Sequence, residues 1–242
     1  MTEVCFDGIS HVLLDIEGTT CAVSFVAEVL FPFARRQLNT YVGKHGGEAE
    51  VAALIQAVRD DCQQRQGEHP DELVPYLEWL IDNDIKLTAL KDLQGRIWSE
   101  GYASGALRAD LFDDVPAALQ HWRHQGLVLG VYSSGSVQAQ QLLYGHCQAG
   151  DLSALFSHWF DTRSGPKQEL SSYVTIAATM EVAAAKVLFI SDSVAELKAA
   201  QRAGMQVLFS DRVGNPLRDA EGFARITDYS RLLLNHGGQP ST

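Results

Sequence analysis

Ile9-Ser10-His11-Val12-Leu13-Leu14-Asp15-Ile16-Glu17-Gly18-Thr19-Thr20 is the stretch that decides the fold. Its first half, Ile9 to Leu14, is apolar except for Ser10 and His11, and reads as a strand buried in a parallel sheet. Its second half turns at Gly18, which has no Cβ to forbid unusual dihedrals. Asp15 and Glu17 then stand at the C-terminal end of a strand, where open α/β sheets place their ligands. Two positions apart on extended chain, they point to the same side, roughly 6–7 Å apart at Cα. That spacing suits one carboxylate as nucleophile and the other as acid/base across a small reacting group. An Asp-x-Glu-Gly stretch is also an ordinary strand-ending turn, so the rest of the chain must decide.

Downstream of Leu111 the pattern alternates between helix and strand. Pro116 to Gln125 is a helix, followed by the strand Leu127 to Tyr132 and the loop Ser133-Ser134-Gly135-Ser136. A helix over Val137–Tyr144, a strand over Ser157–Phe160 and a loop over Asp161–Lys167 come next. The helix Leu170–Met180, the strand Lys186–Ser191, the helix Val194–Ala203 and the strand Met205–Phe209 complete the series. Such alternation predicts a parallel sheet with helices on both faces. The first strand must join that sheet, because alone it cannot hide its faces.

Between the two parts, residues from about Ser24 to Gly105 carry helical periodicity and little strand signal. Phe25, Val29, Phe33 and Leu38 fall on one helical face, and Val51, Leu54, Ile55 and Val58 on another. Gly46-Gly47 and Gly67-Glu68-His69-Pro70 break the chain between segments, with further helices over Leu73–Asp82 and Thr88–Tyr102. The expected fold is therefore α/β: a doubly wound, Rossmann-like parallel sheet with an inserted all-helical cap. The core would comprise residues 1–21 and 111–242 and the cap residues 22–110. The tail from His236 to Thr242 is expected to be disordered.

The chain has 242 residues, 46% of them apolar, and a net charge of -11. That charge disfavours nucleic acid and anionic membrane as partners, since both require clustered Lys and Arg. Cys5, Cys21, Cys62 and Cys147 are scattered, with no Cys-x-x-Cys pair, which fits reduced thiols. The N-terminus lacks a signal-peptide pattern and no apolar run approaches the ~18 residues of a membrane span. A cytoplasmic protein is expected.

Strand ends and their adjoining loops bring polar groups to one sheet edge: Asp15 and Glu17, Ser133 and Ser134, Lys167 after Gly165-Pro166, and Asp192. Singly, each has a plainer reading, as helix cap or solvated charge. Together they fit phosphoryl transfer. A phosphate monoester and a carboxylate nucleophile repel, so the site must supply positive charge, from a lysine and from a hard cation such as Mg2+ held by carboxylates. Serine hydroxyls and backbone N–H groups would hold the phosphoryl oxygens.

In this order the motifs resemble the haloacid-dehalogenase superfamily, whose pattern is Asp-x-Asp-x-Thr, then Ser or Thr, then Lys, then Asp. Asp15, Ser133, Lys167 and Asp192 match it, while Glu17 replaces the usual second Asp. The added methylene moves the proton-transferring oxygen by about 1.5 Å. Asp15-Ile-Glu-Gly-Thr-Thr20, Tyr132-Ser-Ser-Gly-Ser136 and Gly165-Pro-Lys167 are similar to one branch, the enolase-phosphatases of methionine salvage.

The resemblance implies roles. Asp15 would be the nucleophile that forms an aspartyl-phosphate, and Glu17 would protonate the leaving oxygen and then activate water. Ser133 and Ser134 would bind substrate, with Lys167 offsetting its charge. Mg2+ would be held by Asp15, Asp192 and Glu17, the last through its backbone carbonyl. Glu196 would orient a metal-bound water or Lys167, or else be an exposed helix charge. The implied reaction enolises 2,3-diketo-5-methylthiopentyl-1-phosphate and then removes phosphate to give an acireductone, in a monomer acting on a small molecule. Alternatives are another magnesium-dependent phosphatase of the superfamily, acting on a sugar or nucleotide phosphate, or a non-catalytic interaction module on that fold. His121 and His124 flank Trp122 and are expected to have surface or core roles; Phe31-Pro32-Phe33 is expected to be ordinary packing.

Overall fold

The computed structural model describes residues 3–67, 72–83 and 85–235. They form two compact units: one made of the chain up to Ser24 and from Arg108 onward, the other of Phe25–Leu107.

The first unit begins with β1 (Val4–Asp7) and β2 (His11–Leu14). It resumes with α5 (Val115–His124), β3 (Val128–Tyr132), α6 (Val137–Gly145) and β4 (Phe156–Phe160). Then come α7 (Leu170–Thr179), β5 (Val187–Ser191), α8 (Val194–Arg202), β6 (Gln206–Ser210), β7 (Arg225–Ile226) and β8 (Leu232–Asn235). Six strands form a sheet in the order β4-β3-β2-β5-β6-β7. The pairs are parallel throughout. β2 is central, and its Val12, Leu13 and Leu14 are wholly buried, as the apolar run requires. Burying each such side chain contributes about 1.5–3 kcal/mol. One side of the core packs Leu13, Tyr132, Phe189 and Phe209 with Tyr173, Ile176 and Leu197 from α7 and α8.

The chain runs from β2 outward to β3 and β4, then returns to β5 on the other flank of β2. The strand order thus reverses at β2, and such a switch point opens a crevice at the C-terminal strand ends. Leu14 is level with Val131 and with Ile190, so Asp15 lies level with Tyr132 and Ser191.

The second unit holds α1 (Phe31–His45), α2 (Ala49–Gln66), α3 (Leu73–Asp82) and α4 (Thr88–Ala103). Its core packs Leu38 and Tyr41 of α1, Val51, Ile55 and Val58 of α2, Leu77 and Leu80 of α3, and Leu90, Leu93 and Ile97 of α4. The expected face through Phe25, Val29, Phe33 and Leu38 is not continuous. Phe25–Leu30 is a π-helix, whose wider turn re-phases the side chains, and Val29 is 38% exposed. Phe33 packs against this core, as ordinary packing requires.

Sequence reading missed three short strands. β1 and β8 pair with each other outside the main sheet, and two-residue β7 extends its edge. The expected tail from His236, and most of the break at 67–70, lie outside the described residues. His121 and His124 are exposed, while Trp122 between them is buried against Tyr229. The four cysteines form no disulfide with one another, and among the described residues no helix is long and apolar enough to cross a membrane.

Candidate active site

Asp15 leaves the C-terminal end of β2 buried, and three donors surround its carboxylate. Lys167 Nζ donates to Oδ1 at 2.6 Å and the Ile16 N–H to the same oxygen at 2.8 Å. Ser191 Oγ donates to Oδ2 at 3.2 Å. Lys167 also pairs with Glu196 Oε2 at 2.8 Å, and Ser191 Oγ lies 3.0 Å from that same oxygen. Asp15, Lys167, Glu196 and Ser191 therefore form one closed polar cluster. Glu196 belongs to the cluster and is not an exposed helix charge. Burial by itself would favour a neutral Lys167, but the charges of Asp15 and Glu196 more than reverse this and keep it firmly protonated.

The loop that carries Lys167 is fixed by backbone anchors. Tyr132 OH donates to Gly165 O at 2.9 Å, Ser172 Oγ to Pro166 O at 2.7 Å and Tyr173 OH to Lys167 O at 2.6 Å. Gly165 has φ of 121° and a Cβ there would collide with the Ser172 hydroxyl, so this turn requires glycine. Lys167 Nζ also stands 5.6 Å from the Tyr132 ring centroid.

Asp192 follows β5, the other neighbour of β2. Burial raises its carboxyl to about 6, the charge of Asp15 adding to the effect, while Arg218 and Lys167 restrain it. Arg218 Nη1 contacts Asp192 Oδ2 at 2.7 Å. The same oxygen lies against Gly18, where a Cβ would collide with it.

Ser133 is buried at the end of β3, where its hydroxyl accepts from the Gly135 N–H at 3.2 Å. Ser134 is exposed on the same loop. Gln140 Nε2 ties this loop to β4, donating to Gly135 O and to Phe160 O at 2.8 Å each. Glu17 is half-buried and its backbone bridges to Cys21. Burial, with the charges of Glu17 and Asp15, pushes the Cys21 thiol far above its usual range, so it is inert as a nucleophile.

Among the described residues no three His, Cys, Asp or Glu side chains are grouped to hold a metal. Asp15 and Asp192 are buried carboxylates at adjacent strand ends. That donor set suits a small hard divalent ion, which binds through one or two carboxylates and keeps several waters. The raised Asp192 carboxyl fits such an ion too, since the cation would offset the repulsion from Asp15.

Residues 9–204 match the family of haloacid dehalogenase-like hydrolases. The chain is a haloacid dehalogenase-like hydrolase. It belongs, within these hydrolases, to the family of the proteins named enolase-phosphatase E1. The one from Synechococcus sp. (strain RCC307) is 50% identical over 220 residues, spanning 87% of this chain and 88% of that one. The one from Pseudomonas syringae pv. syringae is 50% identical over 224 residues, spanning 93% and 97%. Among solved structures, the UTR4 protein of Saccharomyces cerevisiae is similar with a TM-score of 0.77 and 32% identity, covering 91% of this chain and 98% of that one. A dehalogenase structure with an intermediate bound shares the fold, at a TM-score of 0.54 and 16% identity.

For a haloacid dehalogenase-like hydrolase, the expected residues fall into two groups. Asp15 and Lys167 are in direct contact, and Asp192 and Ser133 stand on the two strands that flank β2. Ser191, Glu196 and the residues after β6 complete the surroundings. Ser191 was hidden as the last residue of an apolar strand. Arg218 was hidden in a loop with no periodicity, and nothing in its neighbours Pro216 and Leu217 marks it.

Proposed function

We propose that this protein enolises 2,3-diketo-5-methylthiopentyl-1-phosphate and then hydrolyses the enol phosphate to an acireductone and inorganic phosphate. The observation that carries the reading is the buried Asp15 carboxylate in contact with Lys167 at 2.6 Å, at the end of the central strand of an enolase-phosphatase relative.

In the phosphatase half, an Asp15 carboxylate oxygen attacks phosphorus, forming an O–P bond as the bond to the enol oxygen breaks. The electron pair leaves on that oxygen, and Glu17 supplies its proton. The Glu17 carboxylate then takes a proton from water, whose oxygen attacks the aspartyl-phosphate and frees phosphate and Asp15. Lys167 offsets the charge that accumulates as the phosphoryl group approaches Asp15. Ser133 and Ser134 bind the phosphoryl group or the substrate. Glu196 and Ser191 hold Lys167 and Asp15 in register, so the nucleophile does not rotate before attack.

Mg2+ would be held by Asp15, Asp192 and the Glu17 backbone carbonyl, and would supply positive charge to the phosphate and to the enolate oxygen. The protein would act as a cytoplasmic monomer, and cysteines that form no disulfide fit that reducing compartment.

The test is a direct assay with the diketo phosphate, in which NMR follows enolisation and phosphate release separately. Both steps should occur with Mg2+ and phosphate release should stop with EDTA. Rapid hydrolysis of sugar or nucleotide phosphates, with none of the diketo compound, would replace this reading with that of another phosphatase.

A further inference from the structure

The segment after β6, residues 211–224, lies against the Asp15–Thr20 turn through polar bonds. Asn215 Nδ2 donates to Gly18 O at 2.9 Å, and Asn215 Oδ1 accepts from the Val23 N–H at 3.4 Å. Arg212 Nε donates to Thr19 O at 3.2 Å, and from the end of β6 itself Ser210 Oγ donates to Gly18 O at 3.0 Å. Apolar packing does not hold the segment down at its tip, because Val213 and Leu217 are 91% and 98% exposed. What this anchoring achieves is the delivery of one cation. Arg218 Nη1 reaches both the carboxylate Oδ2 of Asp192, at 2.7 Å, and its main-chain oxygen, at 3.1 Å.

We infer that Arg218 is a resident counter-ion which neutralises Asp192 in the metal-free protein and is displaced from Oδ2 when a divalent cation binds. The inference rests on reading Asp192 as a metal ligand. Its own support is geometric. The Asp192 side chain is 9% exposed, so a metal that reaches it must share one small buried carboxylate with Arg218. Two cations on one buried carboxylate repel, and the one free to move must leave. Lys167 is not free: its side chain is 11% exposed and two carboxylates grip it. Arg218 is 42% exposed and has water to move into. The site thereby avoids a bare buried carboxylate without metal, at the cost of weaker metal binding.

The experiment is isothermal titration of the metal-free full chain with Mg2+, without substrate, for the wild type, Arg218→Gln and Arg218→Lys. Thermal unfolding in EDTA accompanies it. Exchange predicts that Arg218→Gln binds Mg2+ about tenfold more tightly, equivalent to ~1.4 kcal/mol. It also predicts that Arg218→Gln unfolds at a lower temperature than the wild type in EDTA, a deficit that Mg2+ closes. Arg218→Lys keeps the charge but not the two-acceptor grip, so its affinity should lie between the two; it serves alone should Arg218→Gln fail to fold. Unchanged or weaker Mg2+ binding in the variants overturns the exchange while leaving Asp192 as a ligand. A wild type that takes up no Mg2+ overturns both.

Discussion

Gly18 and Asp192 are packed so closely that a Cβ on Gly18 would stand 2.6 Å from the carboxyl carbon of Asp192. Gly18 also has φ of 73°, a region L side chains rarely adopt. The turn that follows the nucleophile's strand and the carboxylate at the end of the neighbouring strand are thus fitted to each other by the missing side chain. Gly18→Ala should push Asp192 out of place and strain the turn, which costs about 1–3 kcal/mol. Phosphate release should fall by on the order of 10²-fold, the penalty of misplacing a group by ~1 Å. A folded Gly18→Ala protein releasing phosphate at the wild-type rate would refute the coupling.

Asp15→Asn should abolish phosphate release, because an amide cannot attack phosphorus. The fold should survive, since the amide can still accept from the Ile16 N–H and from Lys167. Trapping with beryllium fluoride should mark Asp15 in the wild type, as a crystal structure would reveal. More than a few per cent of wild-type release in Asp15→Asn would remove the residue from the nucleophile's role.

Glu17→Asp would restore the superfamily's common pattern and yet slow the reaction, because the shorter arm misplaces the transferred proton. The expected loss is on the order of 10²-fold. Glu17→Gln can neither give nor take a proton, and should lose ~10²–10⁴-fold while keeping its backbone carbonyl and hence Mg2+ affinity. An enolate needs less protonation than an alkoxide, so aspartyl-phosphate should accumulate in Glu17→Gln. Rapid-quench trapping measures it, and near-wild-type turnover would place the proton transfer elsewhere.

Burial, reinforced by the charge of Asp15, raises the carboxyl of Glu196 to about 7 and that of Asp192 to about 6. In the unfolded chain both titrate at about 4. The folded protein therefore binds protons more tightly than the unfolded chain, and stability is lost as pH rises from about 4 to about 7. In EDTA, the melting temperature of the wild type should fall across that window relative to that of Glu196→Gln, which lacks one of the two titrations. Parallel melting curves for the two proteins from pH 5 to pH 7.5 would contradict the assignment.

The parts of this architecture that repeat a local rule could be read without coordinates. The largely apolar run before Asp15 demanded burial on both faces, and β2 lies at the centre of the sheet. Asp15, Ser133 and Asp192 were legible because each follows such a run, and strand ends in an open sheet share one edge. Glu196 was visible only as one turn beyond Asp192, and its contact with Lys167 depends on how α8 leaves the sheet. β1 and β8 escaped notice because each is four residues long and pairs with a partner more than two hundred positions away. The π-helix at Phe25–Leu30 escaped because a period of 3.6 was assumed where the backbone does not keep it.

The order β4-β3-β2-β5-β6-β7 also bears on how the chain is made. Of these six strands β2 leaves the ribosome first, yet its neighbours are residues 128–132 and 187–191. At synthesis rates of about 5–20 residues per second, the wait for the second neighbour lasts on the order of ten seconds or more. Phe25–Leu107 is contiguous and holds its own core partners, so it can bury them during that wait. The nascent polypeptide therefore passes its chaperones with Val12, Leu13 and Leu14 uncovered and a helical insert already able to pack. A strand at the centre of the finished sheet is thus exposed through most of its own synthesis.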